Sequence, residues 1–148
     1  MTNANSINMS VTPNGAFSTY TEMNAFSPTI SGSTAAGVGT YTTQAGFYNR
    51  IGNMVFVSIN MVWTAHTGTG NMLITSLPFT VRATANYVPA GLMNEIQFAL
   101  GAGVTYAIAE FAQGTTQAAL QGIRNNNTNL PIAMDAAGAF RMNGWYII

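Results

Sequence analysis

The sequence has no cysteine, no lysine and one histidine, and charged residues fill 5% of its 148 positions, against about a quarter in an ordinary soluble domain. Without cysteine there is no disulfide scaffold, no zinc finger and no thiol nucleophile, and redox compartment leaves no trace. The bases are Arg50, Arg82, Arg124 and Arg141; the acids are Glu22, Glu95, Glu110 and Asp135. Four arginines offset by four acids cannot build the basic face that phosphate contacts need, so nucleic acid is not an expected partner. The same scarcity excludes a polybasic membrane-surface segment and a charged disordered tail. No run approaches the ~18 apolar residues of a spanning helix. The opening MTNANSINMSVTPNG lacks the basic and apolar regions of a secretory signal. An outer-membrane β-barrel suits the size and aromatic content but not the missing export signal or the irregular strand lengths. No membrane partner is expected.

What is present points toward assembly. Apolar residues make up 48% of the chain, and the polar remainder is mainly Thr, Asn, Ser, Gly and Gln. Net charge is zero, and a surface without net charge promotes association. The expectation is a chain packed against copies of itself or against other proteins. Its length suits one domain with a core of its own.

The chain divides near Gly37. Residues 1–36 carry isolated apolar side chains whose spacing fits neither a helix nor a strand over any length, and Pro13-Asn14-Gly15 signals a turn. This stretch is expected to be an extended N-terminal arm, too sparse in apolar residues for a core and too rich in them for a solvated spacer. Ile7, Val11, Phe17, Tyr20 and Phe26 are its candidate partner-binding anchors.

Residues 37–148 read as all-β. The clearest signal is Val55, Val57, Ile59, Met61 and Trp63 alternating with Phe56, Ser58, Asn60, Val62 and Thr64. Strand side chains point alternately to opposite faces, so the odd set makes one apolar face on a core and the even set a mixed one. Gly52-Asn53, Thr67-Gly68-Thr69-Gly70, Gly101-Ala102-Gly103, Gln113-Gly114 and Asn125-Asn126-Asn127 punctuate the rest. Leu77-Pro78-Phe79 ends a short strand, because proline cannot donate to a ladder. Ile96, Phe98 and Leu100 alternate inward. Thr115–Arg124 has helical alanine content, but its threonines and Gly122 argue for a strand. Asn143-Gly144 is expected to bulge or bend the last strand. About eight short strands at regular turn spacing predict a β-sandwich of jelly-roll type.

Chemistry-bearing residues are few. His66 opens a Gly-Thr loop and is expected at a surface or turn rather than in catalysis, since a nucleophile–base–orienter set is lacking. Glu95, Glu110 and Asp135 are the domain's only carboxylates for glycoside hydrolysis, and pairing with arginine is the expected use of such acids. No acidic cluster suits calcium, and Gly68-x-Gly70 and Gly101-x-Gly103 are hairpin glycines rather than phosphate loops. No catalytic residue, metal or cofactor is expected. Arg50 is expected to be structural, bonding loop carbonyls or a neighbouring subunit.

The run Gly39-Thr-Tyr-Thr-Thr-Gln-Ala-Gly-Phe-Tyr48, then Arg50-Ile51-Gly52-Asn53, the alternating strand to Trp63, Thr67-Gly68-Thr69-Gly70 and Leu77-Pro78-Phe79 resembles β-modules of tailed-bacteriophage virion proteins. The pattern is similar to those of phages infecting cyanobacteria. The resemblance covers residues 39–79 and transfers no catalytic residue. It implies a virion protein, assembled in the bacterial cytoplasm, with a β-sandwich that usually forms a homotrimer. A tail fibre would place a long shaft before such a module, and only 36 residues precede this one. The lead expectation is therefore a non-enzymatic capsid cement (decoration) protein bound to the major capsid protein or another virion protein. The alternative is a receptor-binding or adhesion module of a tail fibre or appendage.

Overall fold

A computed structural model describes residues 6–11, 15–125 and 128–148, with side chains described from Met23 onward apart from Glu95. The described residues form strands and connections without a helix: β1 (Ser6–Val11), β2 (Gly15–Phe26), β3 (Thr29–Gly32), β4 (Gly39–Ile51), β5 (Met54–His66), β6 (Met72–Thr75), β7 (Ala90–Ile96), β8 (Val104–Phe111), β9 (Ala118–Arg124), β10 (Leu130–Pro131) and β11 (Gly138–Ile147). One antiparallel sheet runs β1-β2-β4-β5-β11-β7-β8-β9-β6-β3, with β10 paired to β9. It curls so that β5 and β11 share one core with β6, β8 and β9. The all-β, jelly-roll-like sandwich expected from the turn spacing is thus built from a single bent sheet.

The period-two stretch behaves as the alternation requires. Val55, Val57, Ile59, Met61 and Trp63 are buried to 4% exposure or less. Across β5, the last strand supplies Phe140, Met142 and Tyr146 to the same core. The facing half contributes Met72, Ile74, Ala107, Ala109, Phe111, Ala118 and Leu120. Rings tie the halves together: Phe111 and Tyr146 lie 5.0 Å apart between centroids, and Tyr48 meets Phe79 edge-on at 5.4 Å.

Eight strands, β4 to β11, equal the number expected downstream of Gly37, residues 118–124 are strand, not helix, and of the alternating set Ile96, Phe98 and Leu100 only Ile96 lies on a strand, at the end of β7. Two further details differ. The register of β11 against β5 runs unbroken through Asn143 and Gly144, and its irregularity against β7 falls between Arg141 and Met142. Gly144 serves close approach instead of a bend: a Cβ there would sit 2.7 Å from the Gly91 Cα and 2.9 Å from the Phe111 ring.

The second difference concerns the N-terminal stretch. β2 pairs with β4 from Tyr20↔Ile51 to Phe26↔Gly46, and β3 pairs with β6 in the other half of the sandwich. The chain crosses between the halves at Ser27-Pro28, where the Gln44 side-chain amide donates to the Pro28 carbonyl at 2.9 Å. Ile30 is in the core. Residues 23–32, assigned to the arm from sequence, are therefore hydrogen-bonded into the sandwich. A four-residue edge strand is too short to show a period, which is why its spacing looked irregular.

Substituting Val57→Asp places an unpaired carboxylate in this core, and a buried unpaired charge is too costly to keep. The expected outcome is loss of the β-type far-ultraviolet circular dichroism. Tyr146 is milder. Its hydroxyl donates to the Phe79 carbonyl at 3.2 Å and accepts from the Phe79 N–H at 3.3 Å, and burial pushes the phenol well above its usual range. Tyr146→Phe should retain the fold and lose about 1–3 kcal/mol in urea unfolding, the cost of leaving buried groups unpaired.

Candidate functional site

Several of the described titratable side chains serve the fold. The His66 ring is buried. Its Nδ1 accepts from the Gly68 N–H at 2.9 Å, so Nε2 carries the proton and donates to the Ile30 carbonyl at 3.0 Å. The imidazole thus locks β3 to the end of β5, a buried post where the sequence suggested a surface turn. The Tyr41 hydroxyl supports the same strand, accepting from the Ile30 N–H at 3.0 Å. Asp135 accepts from the Ala99 N–H at 3.1 Å, while its main-chain carbonyl takes the Trp63 indole N–H at 3.0 Å. Arg50 is structural as expected: its Nε–H donates to the Gly52 carbonyl at 2.7 Å and its guanidinium lies 5.2 Å from the Phe79 ring centroid. Arg82 donates to the Thr84 hydroxyl at 3.1 Å, and the register sets Arg141 opposite Glu95. Among the described residues, no group of three His, Asp or Glu side chains converges as a metal site would require.

The expected arm anchors fall in two sets. Ile7 and Val11 lie on β1, Phe17 and Tyr20 on β2, with Ile7 opposite Tyr20 and Val11 opposite Gly15. Their side chains lie outside the described residues. Phe26 is described, and it faces inward: it packs against the core, meets Tyr48 edge-on at 6.2 Å, and covers Gly46, where a Cβ would sit 2.5 Å from its ring.

The feature that remains unspent is the outer face of the β2-β4-β5-β11 half. Once the odd positions of β5 turn inward, the even positions must turn out, and two of the flanking strands carry aromatics there. Phe47, Phe56 and Trp145 are each 41–45% exposed and Met23 65%. These four residues border a groove of ≈ 400 Å³ together with Asn49, Ser58 and Asn143. Cross-strand register arranges them in two rows. One row reads Asn49, Phe56, Trp145 across β4, β5 and β11; the next reads Phe47, Ser58, Asn143. Leu92 on β7, 71% exposed, continues the second row as the partner of Asn143. A contiguous apolar patch rimmed by polar groups is the ordinary mark of an interaction surface. Sequence reading noted the even face of β5 as mixed and took it no further. The missed signal was Phe56 aligned with Trp145, which is visible only once β11 is known to pair with β5.

No family model matches the sequence, and no curated protein matches it significantly. Among solved structures, the fold is similar to the crystal structure of the Dettilon tailspike protein (gp208), with a TM-score of 0.66 and 16% identity. The likeness covers 85% of this chain and 23% of the tailspike chain, so the present sequence spans about a quarter of that protein.

The His66 lock has a measurable weight. His66→Ala leaves the half-buried Gly68 N–H without its partner and the Ile30 carbonyl with only the Tyr41 hydroxyl at 3.4 Å, and loss of such bonds costs about 1–3 kcal/mol. The expected outcome is a lower urea midpoint near neutral pH, with hydrogen exchange accelerated first in residues 29–39.

Proposed function

We propose that this chain is a non-enzymatic structural module of a bacteriophage virion, carried in a tail appendage. The observation that supports the reading is the fold likeness to a tailspike over 85% of the chain, together with the resemblance of residues 39–79 to phage β-modules. A fold hosts many functions, so the surface must agree, and it does. The chain carries zero net charge and an exposed aromatic face, which suits contact-making more than chemistry. The engaged states of His66 and Asp135 support the non-enzymatic part of the reading. Assembly as a homotrimer, with another virion protein as its mount, belongs to the same proposal: closed symmetry is the default for soluble homo-oligomers, and the threefold number is what the resemblance of residues 39–79 to phage β-modules implies.

A second reading, the capsid cement protein bound to the major capsid protein, draws on one specific feature. β1 is a terminal strand of the sheet, paired on one side by β2. An edge of this kind accepts an added strand, with main-chain hydrogen bonds giving affinity and alternate side chains giving specificity. Ile7, Val11, Phe17 and Tyr20 lie on that hairpin and are the proposed anchors to the shell.

Gold-labelled antibody against the module, applied to intact particles, separates the two. Label confined to the tail, with copy number a multiple of three by quantitative mass spectrometry, is the expected result. Label spread evenly over the head would establish the cement reading. Purified particles free of the protein would sink both.

A further inference from the structure

The sheet ends in two terminal strands, β1 and β3, and we infer that the β3 end is sealed: side chains from β4 and β5 occupy its outer main-chain groups, so that no strand of a second copy can add there. The inference concerns what keeps copies of this chain from stacking edge to edge. It goes beyond the virion role and stands whether the module sits on head or tail.

Its first ground is an account of that edge group by group. Successive residues of an antiparallel strand turn their main-chain groups to opposite sides. β3 pairs with β6 on one side, and the groups of Pro28, Ile30 and Gly32 that turn the other way have partners. The Ile30 N–H donates to the Tyr41 hydroxyl at 3.0 Å, and the Ile30 carbonyl accepts from His66 Nε2 at 3.0 Å. Pro28 has no N–H, and its carbonyl accepts from the Gln44 amide at 2.9 Å. The Gly32 N–H donates to the Ala36 carbonyl at 3.1 Å, and the Gly32 carbonyl accepts from the Ser31 hydroxyl at 3.5 Å. An added strand draws its affinity from free N–H and C=O groups. Here it would have to break the bonds of Tyr41, His66 and Gln44 and push the Tyr41 ring aside to reach them.

The second ground is that β4 and β5 depart from regular register to make these contacts. Their ladder sets Gln44 opposite Met61 and Tyr41 opposite Trp63, passing over Thr42. Met61 and Trp63 both point into the core, and directly opposite residues share a face. The skip therefore puts Tyr41 and Gln44 on one side of β4, where an unbroken strand would part them. A second skip, at Thr64, turns His66. Burial on β5 alternates as far as Trp63, lapses at Thr64 and Ala65, and resumes at His66. Bulges re-aim side chains, and these aim Tyr41, Gln44 and His66 at one edge.

The third ground is charge. Exposed edges are commonly guarded by charged side chains, lysine above all. This chain has no lysine and 5% charged residues, and Thr29-Ile30-Ser31-Gly32 carries no charge. Neutral caps take the place of charge. Addition of β1 of one copy to β3 of the next would repeat without closing, which is the geometry of a filament. The seal removes that route.

Sedimentation velocity on the full chain over a wide concentration range tests the seal. Tyr41→Ala/Gln44→Ala is the uncapped variant, with His66 kept because it also holds Gly68. Tyr146→Phe is the control, weakened in the core with its caps intact. The expected result is that the natural chain and the control reach a limiting size, and that the uncapped variant passes that limit by about twofold or more as concentration rises. Hydrogen exchange at the Ile30 amide should then be slower in the assembled variant than in the dilute one. If the uncapped variant loses its β-type circular dichroism, Tyr41→Phe, which keeps the ring and frees the Ile30 N–H, is read in its place with the same expectations. A folded variant that stays at the natural size overturns the inference. So does equal growth of the Tyr146→Phe control, which would tie association to lost stability, and so does growth without slowed exchange at Ile30. None of these results bears on where the module sits in the particle.

Discussion

A strand has two faces and a sandwich covers one of them. In this chain that constraint is concentrated in β5, the longest regular alternation in the sequence. Sending Val55, Val57, Ile59, Met61 and Trp63 into the core commits Phe56 and Ser58 to the outside, because the period is two and cannot be split. The pairing of β11 along β5 then fixes which side chains join them. Phe140, Met142 and Tyr146 go inward, and Asn143 and Trp145 go out. The core and the groove are therefore a single decision read from opposite sides. A slip of one residue in the β5–β11 ladder would expose Tyr146 and bury Trp145, and would dismantle both surfaces together.

Several buried and half-buried polar residues hold the bent sheet closed. His66, Tyr41 and Gln44 hold the β3 segment and the Ser27-Pro28 crossing against β4 and β5, and Tyr146 holds the Phe79 loop from within. These contacts are hydrogen bonds of neutral groups. With so few ions available, the protein closes its sandwich by geometry and burial, and its cohesion owes little to salt.

How much of this was legible in the sequence follows from the range of each signal. The β5 alternation, the glycine turns and the eight strands after Gly37 are local, and local patterns survive in a linear reading. The same is true of Arg50, whose carbonyl partner is two residues away. What was not legible depends on contacts across long stretches of chain. β3 is four residues long and is recognised only through β6. His66 looks like a loop residue until Ile30 arrives over it. Phe26 looks free until Gly46 and Tyr48 are placed beneath it. The groove is the extreme case: its two rows draw on residues nearly a hundred positions apart, and no window of the sequence contains them.

The β5–β11 ladder also sets a schedule. It joins residues 54–63 to residues 138–147, so the middle of the sheet has no neighbour on one side until nearly the whole stretch between has been synthesised. Closing a loop of that size precedes any reward from the contacts it brings, and β-proteins dominated by such pairings fold in milliseconds to seconds rather than microseconds. A nascent chain would emerge with its most apolar strand paired to β4 on one edge but bare on its other edge and on its core face. Folding is accordingly an event of completion, and β5 is the segment that a growing chain must shield in the meantime.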